Sequence, residues 1–203
     1  TVAIIDAAVS RDGDYTGIPS GFTDLDKKLG GLNRSDLIIL AARPAMGKTA
    51  LVTNMAFNAA QKAGGKIAFF SLEMASEQLA TRMLSEQTGI SSEVIRKGEI
   101  NKDQFGTIYN VARELETLDF FIDDTPALPV AALRTRARRL KRQYGGLDLI
   151  VVDYLQLMQG RSGGSENRVQ EISEITRGLK GIAKELDVPV IALSQLSRQV
   201  ENR

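Results

Sequence analysis

The stretch Leu37-Ile-Ile-Leu-Ala-Ala-Arg-Pro-Ala-Met-Gly-Lys-Thr49 decides how the rest of the chain is read. Its first six residues are all apolar, as in a strand buried on both faces, and a helical pattern opens directly behind Gly47. A loop in that setting brings successive backbone N–H groups and a helix N-terminus to one point, which is a cradle for an anion. There the Lys48 ammonium reaches β- and γ-phosphates, the Thr49 hydroxyl takes a place on Mg²⁺, and Gly47 lets the backbone approach closely. Arg43, Pro44, Ala45, Met46, Gly47, Lys48, Thr49 and Ala50 are therefore the candidate nucleotide-binding residues, with ATP and Mg²⁺ the expected cofactors. The usual pattern for such a loop begins with Gly, and Ala42 stands at that position here.

Outward from this loop, short β-rich runs alternate with longer helical ones. The pattern predicts strands over 37–41, 67–71, 120–123, 147–152 and 188–193. Between them it predicts helices over 48–62, 76–88, 101–117, 130–144 and 167–186, with Gly64-Gly65 and Gly145-Gly146 as helix stops. Such alternation predicts an α/β fold, a parallel sheet covered by helices on both faces. Residues 2–9 show helical spacing with Val2, Ile5 and Val9 on one side, and the turn formers of 11–17 interrupt it. Residues 1–16 thus read as a linker helix and linker, and 17–203 as one domain.

Composition sets outer bounds. The chain has 203 residues, a formal net charge of +1, 43% hydrophobic and 25% charged residues, which is ordinary globular usage. It contains no cysteine and no histidine. Disulfides, thiolate or imidazole zinc sites, Cys nucleophiles and Ser-His-Asp arrangements are excluded, leaving carboxylates, Lys, Arg, hydroxyls, amides and backbone to do any chemistry. The longest apolar run, Leu37 to Ala42, is far short of a membrane span, and the expected location is the cytoplasm. The chain opens on Thr1 without an initiator Met and reads as part of something longer.

A nucleotide site needs more than a cradle, and in an open α/β sheet the rest should sit at the carboxyl ends of strands. Asp153 closes the apolar run Leu149-Ile-Val-Val152 and fits a Walker B aspartate holding Mg²⁺ through water. Glu73 follows the run 67–72 and has two readings on its residues alone: a base that orients water, or a charge favouring the N-terminus of the helix near Ser76. Gln195, after Val190-Ile-Ala-Leu-Ser194, offers an amide to water and γ-phosphate. Asp123 and Asp124 sit in good turn chemistry before Pro126 and read as structural. Arg82 reads more readily as a surface arginine than as a phosphate contact.

Two basic segments remain. Arg134, Arg136, Arg138, Arg139, Lys141 and Arg142 crowd one helix whose apolar stripe is Leu133, Ala137, Leu140 and Tyr144. At this overall charge the density reads first as a solvated face. The segment 159–168, with three glycines and with Arg161 and Arg168 at its sides, is either an ordinary surface loop or a grip on a phosphate backbone that moves with hydrolysis.

Together these motifs resemble one family. Ser20-Gly-Phe-Thr-Asp-Leu-Asp26 with Gly30-Gly-Leu32, the loop Ala41–Thr49, Phe70-Ser-Leu-Glu-Met74, Val152-Asp-Tyr-Leu-Gln-Leu-Met158 and Leu193-Ser-Gln-Leu-Ser-Arg198 resemble the bacterial replicative DNA helicases of the DnaB family, over nearly the whole chain. That family tolerates Ala at the first loop position. The resemblance implies a RecA-like P-loop ATPase domain that assembles as a homo-hexameric ring and hydrolyses ATP to translocate on single-stranded DNA and unwind duplex, with primase and helicase loader as partners. By position it assigns Lys48 and Thr49 to phosphate and Mg²⁺, Glu73 to the catalytic base, Arg82 to γ-phosphate contact, Asp153 to Walker B and Gln195 to sensing. It also implies that residues 1–12 dock on a neighbouring subunit and that 159–168 faces the central channel.

The resemblance further implies that an arginine finger, worth roughly 10³–10⁵ in rate in comparable reactions, would follow Arg203, so that the isolated chain hydrolyses ATP slowly. Other RecA-like ATPases, similar to the RadA recombination or KaiC clock proteins, share the entry motif and phosphate loop. Phe70-Ser-Leu-Glu-Met74 and Asp153-Tyr-Leu-Gln-Leu-Met158 favour the helicase. Intact Glu73 and Gln195 argue against a non-catalytic module that uses ATP only to set subunit contacts.

Overall fold

A computed structural model describes residues 15–158 and 168–196. The elements in chain order are α1 (Thr23–Leu29), β1 (Leu37–Ala42), α2 (Lys48–Ala63), β2 (Ile67–Ser71), α3 (Ser76–Thr88), α4 (Ser92–Lys97), α5 (Lys102–Glu116), β3 (Phe120–Asp123), α6 (Val130–Gln143), β4 (Leu149–Asp153), a 3₁₀ turn (Leu155–Leu157), α7 (Arg168–Leu186) and β5 (Val190–Gln195). The strands form one sheet in the order β1-β5-β4-β2-β3, and every neighbouring pair is parallel.

The strand period of two splits the sheet into two cores. Leu149, Val151, Ile191 and Leu193 face Val52, Met55 and Ala56 of α2 and Leu79 of α3. Their neighbours Ile150, Val152, Val190 and Ala192 turn the other way, onto Leu133 and Ala137 of α6 and Ile175, Leu179 and Ile182 of α7. Helices therefore cover both faces, and β2 and β4 are buried along their whole length. Interior parallel strands read as unbroken apolar runs for this reason. Each large side chain so buried stabilises the fold by roughly 1.5–3 kcal/mol before entropy is set against it.

Three details differ from the sequence reading. Strands β4 and β5 begin two residues later than the apolar runs do, because Leu147 and Val188 are buried ahead of the hydrogen-bonded ladder. Helix α4, unforeseen, is capped by the Ser91 hydroxyl accepting from Glu93 N and stops at Gly98, whose φ of 71° suits glycine. Helix α1 was also unforeseen. It is held from outside its own seven residues, with buried Asp26 accepting from the backbone N–H groups of Ser20 and Gly21 at 2.8 and 3.2 Å.

The entry segment is pinned to the body by glycine. An antiparallel bridge joins Ile18 to Leu32, and a side chain on Gly17 would begin 2.5 Å from the Leu32 backbone. The expected linker helix over 1–12 and the segment 159–167 lie outside the described residues. Among those described, no helix is long and apolar enough to cross a membrane.

Candidate functional site

Since every strand runs the same way, the carboxyl ends of β1, β2, β4 and β5 share one edge of the sheet. The phosphate-loop residues leave that edge from β1. Ala42, where a glycine is usual, is the last residue of β1, paired with Gln195, and is not among the residues of positive φ. An alanine fits there without strain. The left-handed turns fall later, at Ala45 (φ 60°) and at Gly47 (φ 78°), the residue that caps α2. Among the described residues no atom lies within 4 Å of where a side chain on Gly47 would begin, so the space in front of the loop is open.

Lys48 and Thr49 open α2 half-buried, while Arg43, Ala45, Met46, Gly47 and Ala50 are exposed. The Lys48 ammonium donates to the carbonyls of Ala42 and Arg43 at 3.0 and 3.1 Å, and among the described residues no salt bridge holds it. A cation resting on its own loop beside helix N-terminal N–H groups is what an incoming phosphate would recruit.

Across the sheet, Thr49 Oγ1 donates to Oδ2 of Asp153 at 2.8 Å. Asp153 ends β4 on the α2 side of the sheet and is 2% exposed. Burial pushes its carboxyl above the usual carboxylate value; the Thr49 hydrogen bond pulls the other way, Glu73 adds to the rise, and Lys48 and Arg82 oppose it. Lys48, Thr49, Glu73 and Arg82 thus all act on one buried carboxylate.

Glu73 is exposed in the turn after β2, and both flanks of that turn are tied down. Leu72 N donates to the Asp153 carbonyl at 2.7 Å, and the buried Ser71 hydroxyl donates to the Met74 carbonyl at 2.7 Å. The Glu73 carboxylate is left at the crevice edge, with no hydrogen bond or salt bridge of its own among the described residues. The alternative reading, a charge serving the N-terminus of α3, meets a competitor: Asp124 accepts from Ser76 N at 2.8 Å and does that work. Arg82, exposed on α3, lines an open cavity of about 220 Å³ with Ala50, Thr53 and Asn54 of α2.

Gln195 ends β5 beside Ala42, with its side chain on the same face of the sheet as Leu193 and α2. A residue overlooked in the sequence holds it. The Gln156 side chain accepts from Gln195 N at 3.2 Å and donates to the Gln195 carbonyl at 3.1 Å and to Ser194 Oγ at 3.0 Å. A lone polar residue between Leu155 and Leu157 was the available signal.

The basic helix is largely committed to its own fold. Arg136 grips both oxygens of Asp123, Arg134 and Arg138 pair with Glu185, and Lys141 donates to the Leu186 carbonyl. Burial raises the Asp123 carboxyl, but the Arg136 and Thr125 hydrogen bonds outweigh it and hold the group below its ordinary value. Arg161 lies outside the described residues, and Arg168 is described only as the start of α7.

Among the described residues no cluster of three carboxylates stands ready to grip a metal alone. A Mg²⁺ ion at this edge would instead share the Thr49 hydroxyl, phosphate oxygens and water ordered by Asp153, a donor set of hard oxygens that suits it.

The model of the DnaB-like helicase C-terminal domain matches residues 17–203. The replicative DNA helicase DnaB of Geobacillus stearothermophilus is 50% identical over 194 residues, 96% of this chain and 42% of that protein. The DnaB of Rickettsia bellii is 53% identical over 213 residues, covering all of this chain and 42% of that one. Among solved structures, the ATPase domain of another helicase superposes with a TM-score of 0.92 at 35% identity, covering all of this chain and 72% of the other. A DnaB-like replicative helicase, described with its interactions with primase, gives a TM-score of 0.89 at 35% identity over all of this chain and 48% of the other. The chain thus spans less than half the length of the Geobacillus and Rickettsia helicases.

Proposed function

From the premise that the chain belongs to the DnaB-like helicase C-terminal domain family, we propose that it is the ATP-hydrolysing motor of a replicative DNA helicase. The observation that carries this reading is the convergence of Lys48, Thr49, Glu73 and Arg82 on the buried Asp153. Residues 43–50 bind the phosphates through backbone N–H groups, and Lys48 leaves its loop carbonyls to neutralise the β- and γ-phosphates. Thr49 and Asp153 would hold Mg²⁺, which neutralises phosphate charge when bound. Glu73 orients and deprotonates the attacking water, Arg82 contacts the γ-phosphate, and Gln195 reports whether that phosphate is present.

The same reading includes residues 1–16 as a linker to a neighbouring subunit, a homo-hexameric ring, translocation on single-stranded DNA with Arg161 and Arg168 on the strand, and a cytoplasmic location with primase and loader as partners. It also includes slow ATP hydrolysis by the isolated chain. The deciding experiment compares ATP binding and turnover by a longer helicase carrying this domain with and without Glu73→Gln. Binding retained with turnover abolished supports the motor; unchanged turnover overturns it in favour of an assembly module.

A further inference from the structure

Strand β5 is longer than its partner β4. The ladder between them ends at Val152 with Ala192, and after Asp153 the chain leaves the sheet in the 3₁₀ turn Leu155–Leu157. Beyond that point the backbone N–H and C=O of Gln195 on the β4 side have no strand to meet among the described residues. The side chain of Gln156 takes the place of one. Its amide carries an acceptor and a donor in one plane, as a peptide group does, and engages the N–H and the carbonyl of Gln195 together, with a further bond to Ser194 Oγ.

On the opposite side Leu196 N donates to the Ala42 carbonyl at 3.1 Å, and that same carbonyl accepts from Lys48 Nζ. The backbone of Gln195 is therefore fixed from two directions. One fixture leads in a single step to the phosphate-loop lysine, and the other leads, three residues back along the chain, to Asp153.

We infer that Gln156 is a positioning residue for Gln195: its side-chain amide substitutes for a missing strand and sets where the Gln195 side chain stands at the terminal phosphate. The inference rests on the reading of Gln195 as the γ-phosphate sensor. Gln156 does not touch the nucleotide, and its effect passes through Gln195. Its loss should therefore weaken recognition of a triphosphate while leaving a diphosphate, which lacks the sensed group, bound as before.

The test measures equilibrium binding of ADP and of a non-hydrolysable ATP analogue, each with Mg²⁺, to the chain and to Gln156→Leu, Gln195→Ala and the double variant. Gln156→Leu keeps the bulk and removes all three hydrogen bonds. The preference for the analogue over ADP should fall about tenfold, the worth of a hydrogen bond or two, with ADP affinity unchanged. The double variant should be no worse than Gln195→Ala, because two residues acting through one contact are not additive. An undiminished preference, an equal loss for both nucleotides, or additive effects would each overturn the inference.

If Gln156→Leu fails to fold, Gln156→Glu serves instead. It retains the acceptor for Gln195 N but places a carboxylate against the Gln195 carbonyl, and the same loss of preference is expected. Failure of the underlying reading has a different signature: Gln195→Ala would itself leave the preference intact, or Lys48→Ala would leave both nucleotides bound.

Discussion

Thr49 and Asp153 stand 104 residues apart in the chain, yet the hydroxyl of one donates to the carboxylate of the other at 2.8 Å. That bond ties the first turn of the phosphate-loop helix to the end of the central strand. Asp153 carries its charge in a buried place, which is unfavourable for folding and useful for attracting a cation. Asp153→Asn should keep the contact to Thr49 while removing the charge. Thermal unfolding of this variant should occur at the same or a higher temperature, and Mg²⁺-dependent ATP binding should weaken at least about tenfold. Undiminished Mg²⁺-dependent binding would count against a metal role.

Lys48 rests on the carbonyls of Ala42 and Arg43. Removing its ammonium should cost the fold no more than about 1 kcal/mol but remove a charge-assisted bond to phosphate of roughly 1.5–3 kcal/mol. Lys48→Ala is therefore expected to unfold near the parent temperature and to bind nucleotide about tenfold to hundredfold more weakly by calorimetry.

For Glu73, whose carboxylate makes no structural contact among the described residues, the expectation separates binding from chemistry. Glu73→Gln in the longer helicase should bind ATP as the parent does and turn it over roughly 10²–10⁴ times more slowly, the usual worth of a positioned base. A stopped-flow phosphate-release assay reads the difference directly.

Asp123 offers a pH test away from the nucleotide. Its carboxyl is held low by Arg136 and Thr125, so the pair stabilises the fold above the unfolded value near about 3.9 and loses that contribution as pH falls through the lower folded value. Arg136→Leu should cost about 1–2 kcal/mol at pH 7, modest because Arg136 is 40% exposed. The parent and variant stability curves should converge below pH ~4 in urea titrations. Curves that stay parallel down to acid pH would exclude the ion pair as the cause.

Two glycines should respond differently to alanine. At Gly17 a new methyl would meet the Leu32 backbone 2.5 Å away, and the bridge between Ile18 and Leu32 must open. The cost should be about 2–4 kcal/mol. At Gly64 nothing among the described residues lies within 4 Å, and only the φ of 62° resists, at about 1–2 kcal/mol. Chemical denaturation of the two variants ranks them, and equal losses would show that the entry segment is not pinned as described.

The sequence by itself determined the phosphate loop, the alternation of strand and helix, and the placement of Asp153, Glu73 and Gln195 at or just after strand ends. Each of these is written locally, in a period of two or 3.6 and in a glycine before a lysine. Only the tertiary structure decided that β4 lies between β5 and β2. Local pattern carries no information about which strands become neighbours, and that adjacency brings Asp153 to Thr49 and the Leu72 N–H to the Asp153 carbonyl. The Gln156 clamp belongs to the same class, because it exists only where one strand outruns another. Helix α1 does too, since seven residues are too few to hold a helix alone and its support comes from the backbone of Ser20 and Gly21.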